Sequence, residues 1–138
     1  MGESIRNVMS SKPCAIDAGK SVAYAAKMMR DEDVGLAPIV EGDKLVGTVT
    51  DRDIAVRVVA EGKNPDETTV REIASTQLVT VDPQQDLDEA LRLMAKHQVR
   101  RLPVVEEDGR LVGVLAQADV ARRADSKSTG EVVGEISR

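Results

Sequence analysis

The sequence predicts an α+β fold in which one β-α-β-β-α unit is written twice. Two alignments carry that expectation. Pro38 aligns with Pro103, and Ser4-Ile5-Arg6-Asn7-Val8-Met9 aligns at the same offset with Thr69-Val70-Arg71-Glu72-Ile73-Ala74. Gly47-Thr48-Val49-Thr50-Asp51-Arg52-Asp53 recurs as Gly113-Val114-Leu115-Ala116-Gln117-Ala118-Asp119, its offset one longer because a turn has gained a residue. A repeat of this size cannot bury its apolar faces alone, so the two copies are expected to pack on each other through their sheets as one module.

Each copy opens with a short helical start, Ser4 to Met9 and Thr69 to Ala74, and Glu72 three residues after Thr69 forms a capping-box pattern. An extended segment follows, Pro13 to Ile16 and Leu78 to Val81. Next come Val22, Ala25, Ala26 and Met29, matched by Leu87, Ala90, Leu91 and Met94, the spacing of a helix with one buried face. Asp86 with Glu89 predicts a second capping box. Two hairpins are expected: Leu36–Val40 with Leu45–Val49 through Gly42-Asp43, and Leu102–Val105 with Leu111–Leu115 through Asp108-Gly109, a strong turn signal. A closing helix then runs from Asp51 to about Ala60 and from Gln117 to about Ala124. The resulting boundaries are a first repeat over 4–60, a connector rich in Gly, Asn, Pro and Asp over 61–68, a second repeat over 69–124, and a polar tail over 125–138.

At 138 residues, 41% apolar and 31% charged, the composition is that of an ordinary folded domain. Tyr24 is the only aromatic residue, so the chain lacks the stacked rings that hold single-stranded nucleic acid, and a net charge of −5 opposes binding to a phosphate backbone. No apolar run approaches the roughly 20 residues needed to span a bilayer, and the N-terminus lacks a signal-peptide core, so a cytoplasmic protein without membrane contact is expected. Cys14 is the single cysteine, which excludes an intrachain disulfide and a cysteine-rich zinc cage. His97 has no ligand partner at metal-binding spacing. A P-loop, a Gly-x-Ser-x-Gly elbow and a dinucleotide fingerprint are all missing, so neither a catalytic residue nor a required cofactor is expected.

Thr50-x-x-Asp53 lies where a buried strand meets a helix. Hydroxyl, carboxylate and backbone N–H groups converge there, and a carboxylate in that place can accept both hydroxyls of a ribose. The same pair also matches a helix cap. In the second copy Ala116 replaces the threonine while Asp119 is kept, which suggests a further role for Thr50. Arg100-Arg101 precedes the strand at Leu102, where the first copy has Gly35-Leu36, and offers planar donor forks for phosphate; alternation along a strand also leaves one of the pair for solvent. Arg52 and Arg57 add positive charge to the first closing helix. Arg122-Arg123 falls in the last turn expected for the second, where the helix dipole accounts for it. Gly47 and Gly113 interrupt β-branched strands, marking a bulge or a close backbone approach. Val22, Met28, Met29, Leu87, Leu93 and Met94 are candidates for surfaces left over for a homodimer.

Together, the Val8-Met9 opening, Pro38-Ile39-Val40 with Pro103-Val104-Val105, and the Gly-x-x-Thr-x-x-Asp segment ending at Asp53 resemble a tandem pair of cystathionine-β-synthase (CBS) domains, a Bateman module. The likeness runs from Ser4 to about Ala124. Thr50-Asp51-Arg52-Asp53-Ile54 and His97-Gln98-Val99-Arg100-Arg101 are similar to small stand-alone actinobacterial members of the hypoxic-response type. The resemblance implies a non-catalytic regulatory module that takes an adenine nucleotide (AMP, ADP or ATP) in a cleft between the copies and signals through conformation or an unidentified protein partner. It implies Thr50 and Asp53 at the ribose, Arg100 and Arg101 at the phosphates, and Leu78, Val79 and Arg52 near the base. The pseudo-symmetric second site, with Asp119, Ala116, Gly35 and Leu36, is expected to be weak or empty. The alternative is a structural dimerisation or stress-response protein whose cleft binds no nucleotide.

Overall fold

The structure is a computed structural model describing residues 3–11 and 13–127. Its elements are a 3₁₀ turn Ile5–Asn7, β1 Ile16–Asp17, α1 Val22–Glu32, β2 Leu36–Glu41, β3 Lys44–Thr50, α2 Asp51–Ile54, a π-helical turn Ala55–Val59, α3 Val70–Ile73, α4 Leu87–His97, β4 Arg101–Val105, β5 Leu111–Ala116 and α5 Gln117–Lys127. The mixed fold and the two repeats are as expected. The chain divides into two compact units. One is Pro13–Leu78 with Gly109–Leu111, and the other holds the described residues of Met1–Lys12, Val79–Asp108 and Val112–Arg138.

In the first unit β1 runs parallel to β2, and β2 pairs antiparallel with β3 with a register shift between Ile39 and Val40. The spacing of Val22, Ala25 and Met29 puts one face of α1 on this sheet, where Ile16, Ile39 and Val49 are also fully buried. Ser21 caps α1 by accepting from the Tyr24 N–H at 3.0 Å. Asp33 ends it in the left-handed conformation at φ 56°, and Gln98 ends α4 at the same φ. Leu111 and Leu45 extend the ladder, donating N–H groups to the carbonyls of Asp43 (2.9 Å) and Gly109 (3.0 Å).

The second unit has β4 paired with β5, covered by α4 through Leu87, Ala90 and Met94. The expected first strand of this repeat is reduced to a single parallel bridge, Val81 with Val104. The expected Asp86/Glu89 capping box does not form. Asp86 makes no side-chain cap, the first helical N–H, of Leu87, is taken by the carbonyl of Glu3 at 3.0 Å, and Glu89 pairs with Arg92 one turn on. α5 continues to Lys127, into the segment read as tail, and residues 128–138 lie outside those described.

Each unit is completed by the opening segment of the other repeat. Val70 and Ile73, which open the second copy, are buried against Ile16, Val22 and Val49 of the first. The N–H of Val70 bonds the carbonyl of Lys20 (2.8 Å), and Ser75 and Thr48 exchange two hydrogen bonds (2.8 and 3.0 Å). In the second unit Ile5 is buried with Leu102 and Leu115, its N–H bonds the carbonyl of Gln85 (2.9 Å), and Ser10 and Val114 exchange two bonds (2.9 and 3.0 Å). The ion pair Arg71–Glu41 has its counterpart, at the offset that relates Pro38 to Pro103, in Arg6–Glu106. Burying a Val or Ile side chain contributes about 1.5–3 kcal/mol, so each imported segment is a substantial part of its unit's core.

The glycines that interrupt the strands are explained by these imports. A Cβ on Gly113 would stand 2.6 Å from the Ser10 carbonyl oxygen, and one on Gly47 would stand 3.1 Å from that of Ser75. Close backbone approach is observed at both glycines, and at Gly47 a bulge is observed as well, since Ile39 pairs with Gly47 and Val40 with Leu45, which leaves Val46 as the extra residue. Of the six candidates for a dimer surface, Val22, Met29, Leu87 and Met94 are buried in the two cores, while Met28 and Leu93 are half-buried against them. The large apolar side chains exposed among the described residues are Tyr24, Val56 and Val59.

Candidate functional site

Thr50 ends β3 and caps α2. Its Oγ1 accepts from the Asp53 N–H at 3.1 Å, while Asp53 Oδ2 accepts from the Thr50 N–H at 2.9 Å, a reciprocal capping box that fixes both rotamers. The bland sequence reading of this pair therefore holds as a fact of structure. It does not use up the carboxylate, since Oδ1 faces Arg57 Nε at 3.9 Å and the Asp53 side chain is 18% exposed. The Asp51 N–H bonds the carbonyl of Gly35 at 3.0 Å, tying the turn to the start of β2. Arg52 is exposed on the first turn, its N–H held by Asp51 Oδ1 at 2.8 Å. Leu78, half-buried, ends the same unit.

The other expected ligand residues belong to the second unit. Val79 packs against its core, Arg101 begins β4 half-buried, and Arg100 is exposed with its carbonyl accepting the Gln117 N–H at 2.8 Å. Asp119 lies on the first turn of α5 and pairs with Arg122. Around it Asn7, Val8, Arg122 and Arg123 line an open depression of about 310 Å³. The two acidic positions thus differ in their surroundings: Asp53 is held mainly by a backbone N–H, and Asp119 by a guanidinium. Of the residues singled out from sequence, Thr50, Arg52 and Asp53 share one turn with Leu78 in the same unit, while Val79, Arg100, Arg101 and Asp119 are in the other.

Two residues acquire roles that sequence reading missed. Arg57 Nη1 donates to the carbonyl of Ile73 at 3.0 Å, and Arg123 Nη2 donates to the carbonyl of Asn7 at 3.0 Å. Each arginine grips the helical turn imported from the other repeat. The expectation that Arg122-Arg123 merely caps a last turn is corrected: α5 is longer, so both are mid-helix, Arg122 with Asp119 and Arg123 with Asn7 and with Glu3 at 3.5 Å. The signal was present in the alignment of the copies, where Arg57 and Arg123 are related by the same offset as Gly47 and Gly113.

No group of three His, Cys, Asp or Glu side chains that could hold a metal ion occurs among the described residues, and no helix among them is long and apolar enough to cross a membrane. The CBS domain family model matches residues 5–60 and 70–126, both repeats. The chain belongs to the CBS domain family. CBS relatives agree over nearly its full length: Hypoxic response protein 1 of Mycobacterium tuberculosis is 38% identical over 132 residues, 95% of this chain and 92% of that protein. The crystal structure of Hypoxic Response Protein I with two coordinated zinc ions superposes with a TM-score of 0.80 at 37% identity, covering 87% of this chain and 98% of that one. The CBS domain pair of protein MJ0100, in complex with 5′-methylthioadenosine and S-adenosyl-L-methionine, gives a TM-score of 0.78 at 28% identity over 91% of this chain and 98% of that one.

Proposed function

We propose that this CBS pair is a non-catalytic regulatory module that binds an adenine nucleotide, AMP, ADP or ATP, with Thr50 and Asp53 at the ribose, Arg100 and Arg101 at the phosphates, and Leu78, Val79 and Arg52 near the base. The observation that carries the reading is the Asp53 carboxylate: one oxygen is fixed by a backbone N–H, leaving the other as an oriented acceptor for a sugar hydroxyl. The ligands of the MJ0100 pair, both adenosine derivatives, support the adenosine part of this reading. Asp119, already bound by Arg122, is the weaker second position. The module works in the cytoplasm as a homodimer, with Tyr24, Val56 and Val59 at 47%, 46% and 69% exposure supplying apolar contact area, and passes its state to a protein partner.

A thermal-shift panel of AMP, ADP, ATP, adenosine and S-adenosyl-L-methionine tests the ligand. Ligand at 100 times its Kd adds about 2.7 kcal/mol, which is roughly 5–12 °C for a domain of this size. The second reading is a structural dimerisation protein that binds no nucleotide. It is favoured by the complete Thr50–Asp53 capping box, which gives both residues a structural role without a ligand. No shift with any compound selects it.

A further inference from the structure

We infer that Arg57 is a positioning residue that reports the state of the Asp53 carboxylate to the imported helix α3. The Asp53 oxygen not used by the cap is the one that faces Arg57, at 3.9 Å, and the same guanidinium donates to the Ile73 carbonyl at 3.0 Å, the last residue of α3. One rigid planar fork therefore touches both the acceptor of the proposed ligand and the segment that completes the core. A group that draws on Asp53 Oδ1 changes the hold on Arg57, and through it the anchoring of Val70–Ile73.

The second repeat supplies the internal control. Arg123 makes the matching bond to Asn7, at the same 3.0 Å, yet Asp119 pairs with Arg122 rather than with Arg123. There the grip on the imported turn and the acidic position are carried by two different arginines. The link is thus present in one repeat and divided in the other. Arg57 also lies within the π-helical turn Ala55–Val59, where Val58 is the buried anchor; a widened turn of this kind is commonly found at functional positions in helices.

The ligand side of this inference rests on the reading above, but its central claim can be tested without ligand. Amide hydrogen exchange at Val70 and Ser75, whose N–H groups bond Lys20 and Thr48, reports the anchoring of α3. Asp53→Asn, which keeps an acceptor for the cap, is expected to speed exchange at both amides about two- to fivefold, the scale of a partly exposed ion pair. In an Arg57→Lys background, where a single ammonium cannot span both partners, Asp53→Asn should add nothing, and Asp119→Asn should leave Ile5 and Ser10 unchanged. Equal acceleration in the wild-type and Arg57→Lys backgrounds overturns the inference. With AMP as probe and binding followed by calorimetry, the same amides should respond in the wild type and not in Arg57→Lys; an identical response in both also overturns it. Absence of AMP binding counts against the nucleotide reading alone, because the ligand-free comparison still decides the role of Arg57.

Discussion

Gly113 approaches Ser10 so closely that a Cβ on the glycine would stand 2.6 Å from the Ser10 carbonyl oxygen and 2.7 Å from the Met9 sulfur. The Met9 side chain can move. The Ser10 carbonyl is held in a two-bond antiparallel bridge with Val114 and cannot. Gly113→Ala is therefore expected to lose about 1–3 kcal/mol of stability, the scale of an overpacked core. Gly47→Ala, whose nearest atoms would be at 3.1 Å, should lose less. Urea denaturation of the two variants gives the comparison, and equal midpoints would contradict it.

Asp53→Ala should weaken AMP binding by about 1.5–3 kcal/mol, the range for hydrogen bonds to a charged group, while Asp119→Ala should change it little. Calorimetry returns both affinities and the stoichiometry, expected to be one nucleotide per chain at most. Normal AMP binding by folded Asp53→Ala would leave Thr50–Asp53 as a helix cap and nothing more.

Arg101→Ala should lower affinity for ATP and AMP more than for adenosine, because its proposed contact is to phosphate. A uniform loss across the three ligands would place its contribution at the base or the sugar.

Glu72 gives a pH dependence. Its carboxylate accepts from the Thr69 N–H at 2.9 Å and from the Thr69 hydroxyl at 3.1 Å, and these bonds, with a smaller contribution from the charge of Lys63, hold its pKa below the ordinary carboxylate value. The folded pKa is depressed, so the stabilisation is present above the unfolded value of about 4.3 and is lost as pH falls through the folded one. Urea midpoints across this acidic range should fall more steeply for the wild type than for Glu72→Gln. Parallel curves would remove Glu72 from the account.

Val59→Glu should shift the proposed dimer toward monomer in sedimentation at micromolar concentration, whereas Glu at the buried Val58 should unfold the unit. A wild-type chain that already sediments as a monomer would refute the dimer.

Much of the local structure was legible because it depends on neighbours in sequence. Val22, Ala25 and Met29 share a face through helical spacing alone, and the turn at Asp108-Gly109 is set by a glycine at φ 90°. Partner choice was not legible. The repeat alignment shows that Val70 corresponds to Ile5, but the packing of each against the other copy's core is decided by long-range contacts that no local pattern encodes. At Asp86/Glu89 the spacing alone misleads, since the Glu89 N–H bonds the Asp86 carbonyl at 3.1 Å and the Glu89 side chain pairs with Arg92. At the candidate site, Thr50 and Asp53 were found through their spacing, whereas Arg57 had only its charge until Ile73 was seen beside it.

The traded opening segments also set an order for biosynthesis. The first unit cannot close its core until Val70, Ile73 and the Ser75 backbone have left the ribosome, although the rest of its core was made by Val58. Ile5 is made long before the residues it is buried with, and its core stays open until Val81, Leu102 and Leu115 have followed. Contacts across such long stretches of chain slow folding, and during the wait the apolar side chains already made stay open to chaperones or to a neighbouring copy.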